Sequence, residues 1–415
     1  MGQQTIAPSG AAGTAGDALD ADRPASLLDP IRRWRNLLTP FPRAGLFYIR
    51  SVDNWLKHRG EDGVPAVRPT LHLTAHALAD EAIIAGMRVI KAPAPQSAIV
   101  RAEAEAGAAL QLAGERGWLA DPASFYPSPP ELERPTAHWR TARKLRYWRL
   151  SFESGYEPFP GEPGRERWLS YTANRRTRAW VLQHPEPRPW LVCVHGTSMG
   201  KASTDFALFR ARWLHEDLGL NLVFPVLPLH GPRGEELPPH AAFPGEDVID
   251  NVHGIAQAVW DVRRLVRWAR AQHDTPVGIT GISLGGFVTA LVAGVEDGLD
   301  CAILGVPAVD LVDLIEHHSV RGGDAQYQRM LGLAHQLGVI VSPLSLTPRL
   351  PRDRRFIYAG LADRLAHPRH QVGRLWEHWE RPEVCWYRGG HIGFSRSPDV
   401  GRFIRRALQS SGLTA

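Results

Sequence analysis

The stretch Val277-Gly278-Ile279-Thr280-Gly281-Ile282-Ser283-Leu284-Gly285-Gly286-Phe287-Val288 decides how the C-terminal part of this chain is read. Residues 277–280 read as a short buried strand, and the apolar run from Phe287 to Val295 reads as a helix beginning near Gly286. Between them stands Gly-Ile-Ser-Leu-Gly. A bare G-x-S-x-G arises roughly 0.2 times by chance in a chain of this length and composition, so the five residues alone say little. Their place between strand and helix says more. The turn is so sharp that the flanking positions need glycine to avoid Cβ clashes, and it lifts the Ser283 hydroxyl above the sheet edge. Ser283 is therefore the candidate nucleophile; the competing reading is a tight glycine turn with an incidental serine.

Working outward, short apolar strands are expected at 190–194, 222–227, 277–280, 302–306, 356–359 and 384–387, alternating with helices. That alternation is the form of a mostly parallel sheet covered on both faces. Between the second and third strands, Val248, Val252, Ile255, Val259, Val262, Val266 and Ala269 step by four and three residues, a helical stripe able to bury against a sheet. Val400, Phe403, Ile404 and Leu408 close the chain with the same spacing. Right-handed crossovers then make the sheet doubly wound. Upstream, 145–152, 168–172 and 178–183 read as antiparallel strands leading into it. The fold class is α/β. The stretch from 306 to 356 is long for a crossover and is helical in pattern over 311–318 and 325–336. It reads as an inserted lid over about 308–352. Its Leu311, Leu314, Ile315, Met330, Leu331 and Leu333 either cover an apolar acyl pocket or pack the crossover helix.

The N-terminal part is organised differently. Residues 1–25 are small and polar without apolar periodicity and read as a disordered tail; 26–135 form a helical extension. Asp29-Pro30 supplies an N-cap and an N1 proline, and Ile31, Trp34, Leu37 and Leu38 share one face with arginines elsewhere. This short basic amphipathic helix over 29–39 is read as docked on the body, with weak peripheral attachment to a membrane surface as the competing reading. Helices are expected over 73–90 and 97–116, then a proline-rich linker at 126–135. No chemistry is visible in this region.

Composition bounds the partners. Of 415 residues, 44% are hydrophobic and 22% charged, as in an ordinary globular protein. The net charge of +5 rests on 48 basic residues of which only four are Lys, spread without a basic tract, so nucleic acid is not an expected partner. No apolar run approaches the roughly 20 residues of a membrane-spanning helix. The start MGQQTIAPSG has neither a basic region nor an apolar segment after it and reads as a cytoplasmic N-terminus. Cys193, Cys301 and Cys385 sit in strand-like runs and are expected to be reduced thiols.

A serine hydroxyl needs a base and a group to orient that base. His391 follows the last expected strand in Tyr387-Arg388-Gly389-Gly390-His391-Ile392-Gly393, where two glycines let the loop approach the serine; it is the candidate base. Asp363, in Ala359-Gly360-Leu361-Ala362-Asp363-Arg364, follows the preceding strand and would fix the imidazole tautomer, unless it caps a helix before Pro368. Asp310 and Asp313 compete for that role but begin an amphipathic helix. An oxyanion hole needs two backbone N–H donors, expected at Leu284 and at Thr197 in Val194-His195-Gly196-Thr197-Ser198-Met199-Gly200. His195 and Ser198 receive no side-chain role. In Pro228-Leu229-His230-Gly231-Pro232-Arg233-Gly234, His230 and Arg233 are candidate substrate-binding residues; Arg233 equally pairs with Glu235 or Glu236. His317-His318 diverge on a helix and read as solvated, with no metal-ligand spacing anywhere. Glu246, Asp247 and Asp250 suit the positive end of a helix.

His195-Gly196 after one strand, then Ser283, Asp363 and His391 in that chain order, resembles the α/β-hydrolase superfamily over roughly residues 140–410. The stretch from Thr280 to Gly286 and the N-terminal helical extension are further similar to the α/β-hydrolase domain-containing protein 18 branch. The resemblance implies a central mostly parallel sheet, a Ser-His-Asp triad and acyl transfer through an acyl-enzyme without a cofactor. The expected function is a serine hydrolase, a carboxylic ester hydrolase acting on a small-molecule acyl substrate. The alternatives are a non-catalytic binding protein on the same fold, or the same triad used for amide hydrolysis or perhydrolysis.

Overall fold

The structure, a computed structural model, describes residues 39–57, 63–90, 94–235, 237, 242–319, 321 and 323–415. The tail over 1–25, Glu236 and, apart from Thr39, the basic helix over 29–39 lie outside the described residues.

Among the described residues three α-helices precede the sheet: α1 (Pro40–Leu56), α2 (Leu71–Ile90) and α3 (Gln96–Glu115). Nine strands follow: β1 (Thr136–Ala142), β2 (Leu145–Glu153), β3 (Arg176–Leu182), β4 (Trp190–Val194), β5 (Asn221–Pro225), β6 (Val277–Ile282), β7 (Cys301–Gly305), β8 (Arg355–Gly360) and β9 (Glu383–Tyr387). They form one sheet in the order β1-β2-β3-β5-β4-β6-β7-β8-β9. The first three strands run antiparallel to their neighbours and the rest are parallel. β4 to β8 are buried along their whole length, which is why they appear in the sequence as unbroken apolar runs rather than alternating ones. The covering helices are α4 (Val248–Gln272), α5 (Leu284–Val295), α6 (Leu311–His318), α7 (Ala325–Leu337) and α8 (Pro398–Ser410). Two apolar cores lie on the two faces of the sheet. With α5 springing from the end of β6, this is an α/β-hydrolase fold.

Two expected elements differ. Residues expected as a strand at 168–172 are helical over Arg165–Ser170. Their Trp, Leu and Tyr carry strand propensity, but Gly164 turns the chain at φ 71° and the buried Trp168 indole donates to Gln257 Oε1 at 2.9 Å, so tertiary packing wins. β1 is not among the expected strands. It is an edge strand exposed along nearly its full length, held by Trp139 stacked on Trp148, so it carries no burial signal. The three cysteines are free thiols, two of them buried. Among the described residues no helix is long and apolar enough to cross a membrane.

The proline-rich segment at 126–135 is not a loose linker. Prolines leave carbonyls without neighbouring N–H partners, and three arginines of α4 collect them. Arg263 donates to Pro127 O at 2.9 Å, Arg267 to Pro129 O at 2.9 Å, and Arg264 to Pro130 O at 3.1 Å. Glu296, buried at the end of α5, holds Arg263 and Arg267 at 2.8 Å each. The extension also reaches the lid: α3 packs on α7, with Arg329 paired to Glu103 at 2.9 Å and Gln96 bonded to Gln326 at 3.0 Å.

Removing Glu296 leaves the buried Arg263 guanidinium without its counter-charge, which costs about 3–5 kcal/mol. Urea unfolding of Glu296→Ala is expected to show a loss of that size, and limited proteolysis a new cut within 126–131. A loss below about 1 kcal/mol, the scale of an exposed pair, would contradict the clasp.

Candidate active site

The junction of β6 and α5 allows little freedom. A Cβ on Gly281 would lie 2.1 Å from Gly285 O, and one on Gly285 would lie 1.9 Å from Val194 O, so neither position accepts any side chain. Between them Ser283 adopts φ 56° and ψ −117°, a conformation that an L-residue holds only when its surroundings force it. The Ser283 N–H donates to Gly305 O at 2.9 Å and its carbonyl accepts from Ala308 N–H at 3.1 Å. Ser283 is thus tied to the end of β7 while its side chain is only partly buried. Its hydroxyl makes no hydrogen bond among the described residues.

Asp363 and His391 are joined directly, His391 Nδ1 to Asp363 Oδ2 at 2.7 Å, both buried. The other Asp363 oxygen accepts from the N–H groups of Leu365 at 2.9 Å and Ala366 at 2.8 Å. The turn-capping and base-orienting readings of Asp363 therefore hold together, one for each oxygen. Burial alone would lower the His391 imidazole; the Asp363 charge, its hydrogen bond and the charge of Asp80 outweigh that and raise it above its ordinary value of 6.5. The competitors are engaged elsewhere: Asp310 caps α6 and pairs with Arg374 at 3.0 Å, and Asp313 accepts from Gln371 at 2.8 Å.

The loop after β4 lies against the serine: a Cβ on Gly196 would be 3.3 Å from Ser283 Cβ. His195 is fully buried, with Nε2 accepting from Leu227 N–H at 3.0 Å, so Nδ1 carries the proton and donates to Gly196 O at 2.8 Å. Burial pushes its pKa down to about 4, so it is neutral scaffolding linking the loops after β4 and β5. Asp205, also buried, supports the same loop by accepting from Gly200 N–H and Trp180 Nε1, each at 3.0 Å. The N–H groups of Thr197 and Leu284 donate to no protein acceptor among the described residues, and that of Leu284 begins α5, where a helix leaves donors unpaired.

Arg233 is not placed to clamp a substrate. It is fully buried and donates inward to Asp261 at 2.9 Å, Val226 O at 2.8 Å and Asn174 O at 2.8 Å. Its partner is Asp261 rather than Glu235. His230 is buried too, with Nδ1 bonded to Pro228 O at 2.8 Å and its ring against His195 and Phe243, so it also packs inward. His317 and His318 form no metal cluster, and none of three or more potential ligands occurs among the described residues. His318 is partly buried rather than solvated, its Nε2 bonded to Leu365 O at 3.2 Å.

A cavity of about 280 Å³ lies under the lid. Leu311, Ile315, Met330 and Leu331 line it together with Phe287, one turn along α5 from Ser283. Leu314 and Leu333 do not; Leu333 faces Gly107 of α3, so the lid's apolar residues divide between lining a cavity and packing. Ser283, Asp363 and His391 are absent from the lining.

No family model matches the sequence. Two proteins of Mycobacterium tuberculosis, the uncharacterized protein MT2702 of strain CDC 1551 / Oshkosh and the uncharacterized protein Rv2627c of strain ATCC 25618 / H37Rv, are each 50% identical to it over 378 residues. That is 90% of this chain and 91% of theirs. The chain belongs to their family. Similar solved structures include acetyl xylan esterase 1 from Thermoanaerobacterium sp. JW/SL YS485, at TM-score 0.48 and 15% identity, covering 72% of this chain and 93% of that one. Acetyl xylan esterase from Paenibacillus sp. R4 follows at 0.47 and 12%, covering 70% and 99%.

The elbow's lack of room is open to a direct test. Gly285→Ala drives a methyl group into the Val194 carbonyl and is expected to cost more than about 3 kcal/mol in thermal or urea unfolding, a large effect for one carbon. A variant as stable as wild type would contradict the packing of β4 against α5.

Proposed function

We propose that the protein is a serine hydrolase that cleaves carboxylic esters of small molecules through an acyl-enzyme on Ser283. The observation that carries this reading is the Ser283 backbone, held at positive φ between two glycines that admit no side chain, with a buried His391–Asp363 pair on neighbouring loops of the same sheet edge. The chemistry follows from the parts. Ser283 Oγ attacks the acyl carbon while His391 Nε2 takes its proton, and Asp363 steadies the resulting imidazolium. The oxyanion accepts from the N–H groups of Thr197 and Leu284. His391 then protonates the leaving alcohol, and water, deprotonated by the same imidazole, releases the acid. The missing Ser283–His391 hydrogen bond is one that catalytic sites form on binding substrate. The cavity beyond Phe287 is the place for the acyl group.

Fluorophosphonate labelling tests the reading. Wild type is expected to be labelled at Ser283, Ser283→Ala not at all, and Asp363→Asn to lose about 10²–10⁴-fold in rate. Only neutral imidazole accepts the serine proton, and His391 is raised above 6.5, so labelling and p-nitrophenyl ester turnover should fall as pH drops through a midpoint above that value. Ester turnover persisting in Ser283→Ala would overturn the assignment, and inertness of wild type toward the probe and toward a graded acyl panel would favour a binding protein.

A further inference from the structure

The N-terminal extension delivers a second carboxylate to the His391–Asp363 pair. Asp80, on α2, is 1% exposed, and its Oδ2 accepts from His391 N–H at 2.8 Å and from Arg364 N–H at 3.0 Å. One oxygen thus ties together the loop that carries the base and the turn that carries the acid. These bonds span 311 and 284 residues of sequence. The other oxygen, Oδ1, is buried and has no hydrogen-bond partner among the described residues.

The surroundings are built to admit this group. A Cβ on Gly390 would lie 2.8 Å from each Asp80 oxygen, so the residue before the candidate base is glycine because Asp80 occupies that space. Gly389 clears the Tyr387 ring, 2.6 Å from where its Cβ would sit. The pair of glycines at 389–390 is thus explained by what packs behind the loop rather than by approach to the serine. The next residue of α2, Glu81, is 3% exposed and pairs with Arg364 at 3.0 Å and Arg43 of α1 at 3.4 Å. Leu73 and Ala77 of α2 form a small apolar core with Ala362 of the acid turn, and a Cβ on Gly393 would be 3.3 Å from His76. One face of α2 is therefore fitted to both loops.

We propose that Asp80 is a positioning residue of the hydrolase site: it fixes the His391 loop against the acid turn and places a second negative charge beside the imidazole, so that α2 is part of the catalytic apparatus. This rests on the serine hydrolase reading of Ser283. The charged and titratable groups around Asp80 are Asp363 and Arg364 on the acid turn, Tyr387 at the end of β9 and His391 in the loop after it, with His76 and Glu81 nearby on α2 and Arg43 of α1 paired to Glu81. Burial and the Asp363 charge push the Asp80 carboxyl up to about 7, with His391 and the two backbone N–H groups pulling the other way. Above that range Asp80 carries charge, and its charge raises His391. The acid limb of activity then belongs to the three groups together rather than to the imidazole alone.

The test uses the full chain with ¹³C-labelled histidine and three variants. Asp80→Asn keeps an oxygen for the two N–H groups and removes the charge. Its His391 resonance, assigned with His391→Gln, is expected to titrate at lower pH than in wild type, with the acid limb of fluorophosphonate labelling, below its alkaline plateau, moving the same way. Asp80→Ala removes the tether as well and is expected to lower the plateau by about tenfold or more. Gly390→Ala crowds the carboxylate from the other side and should mimic that loss. Thermal melts establish that each variant is folded. An Asp80→Asn protein whose His391 midpoint and labelling profile coincide with those of wild type overturns the proposal. A wild type that is never labelled defeats the serine hydrolase reading, while the His391 midpoint still decides whether Asp80 acts on the imidazole.

Discussion

Steric exclusion at one turn governs the molecule. The start of α5 is pressed so closely into the ends of β4 and β6 that positions 281 and 285 have no space for a single carbon, and the chain can pass only by putting Ser283 into a conformation that costs of order 1–3 kcal/mol. That strain is held by the surrounding sheet, since β4, β6 and β7 are buried throughout and resist yielding. The His391–Asp363 pair stands at the same edge of the sheet. β8 ends at the Asp363 turn and β9 at the His391 loop, while the loop after β4 lies against the serine itself.

The N-terminal helices are more than an appendage to the sheet domain. α2 is fitted to the acid turn and the His391 loop, α3 packs on the lid, and the chain leaving α3 is fastened by arginines of α4. The same extension thus contacts the acid turn, the His391 loop and α7. The buried polar residues Arg233, Asp205, His195 and Glu296 are each held by two or more hydrogen bonds or ion pairs. Asp80 joins them through Oδ2, which accepts from the backbone N–H groups of both His391 and Arg364.

Much of the sheet was legible because burial on both faces imprints itself as continuous apolar runs; 190–194 matches β4 to the residue, and the four-and-three stripe from Val248 marks α4. The lid helices were legible through the same periodicity. The tight turn at Ser283 was legible through its glycines, and the positions of Asp363 and His391 through the strands they follow. What sequence could not show was distance between remote segments. Asp80 lies in Ala79-Asp80-Glu81-Ala82, which looks like any exposed acidic pair on a helix, and only the fold reveals that both carboxylates point inward. Arg233 failed in the opposite sense: a charged residue in a loop beside the presumed site is ordinarily solvated, yet Asp261, far along the chain on α4, draws it into the core. The proline-rich 126–135 looked loose because its partners are arginine side chains of a distant helix.

The most direct measurement is a crystal structure of the protein after reaction with a fluorophosphonate. The expected density is continuous from Ser283 Oγ to phosphorus, with the phosphoryl oxygen accepting from the N–H groups of Thr197 and Leu284 and His391 Nε2 turned toward the adduct. Phosphorus bonded to another residue, or a phosphoryl oxygen pointing away from those two amides with His391 out of reach, would contradict the assignment of this edge of the sheet as an acyl-transfer site.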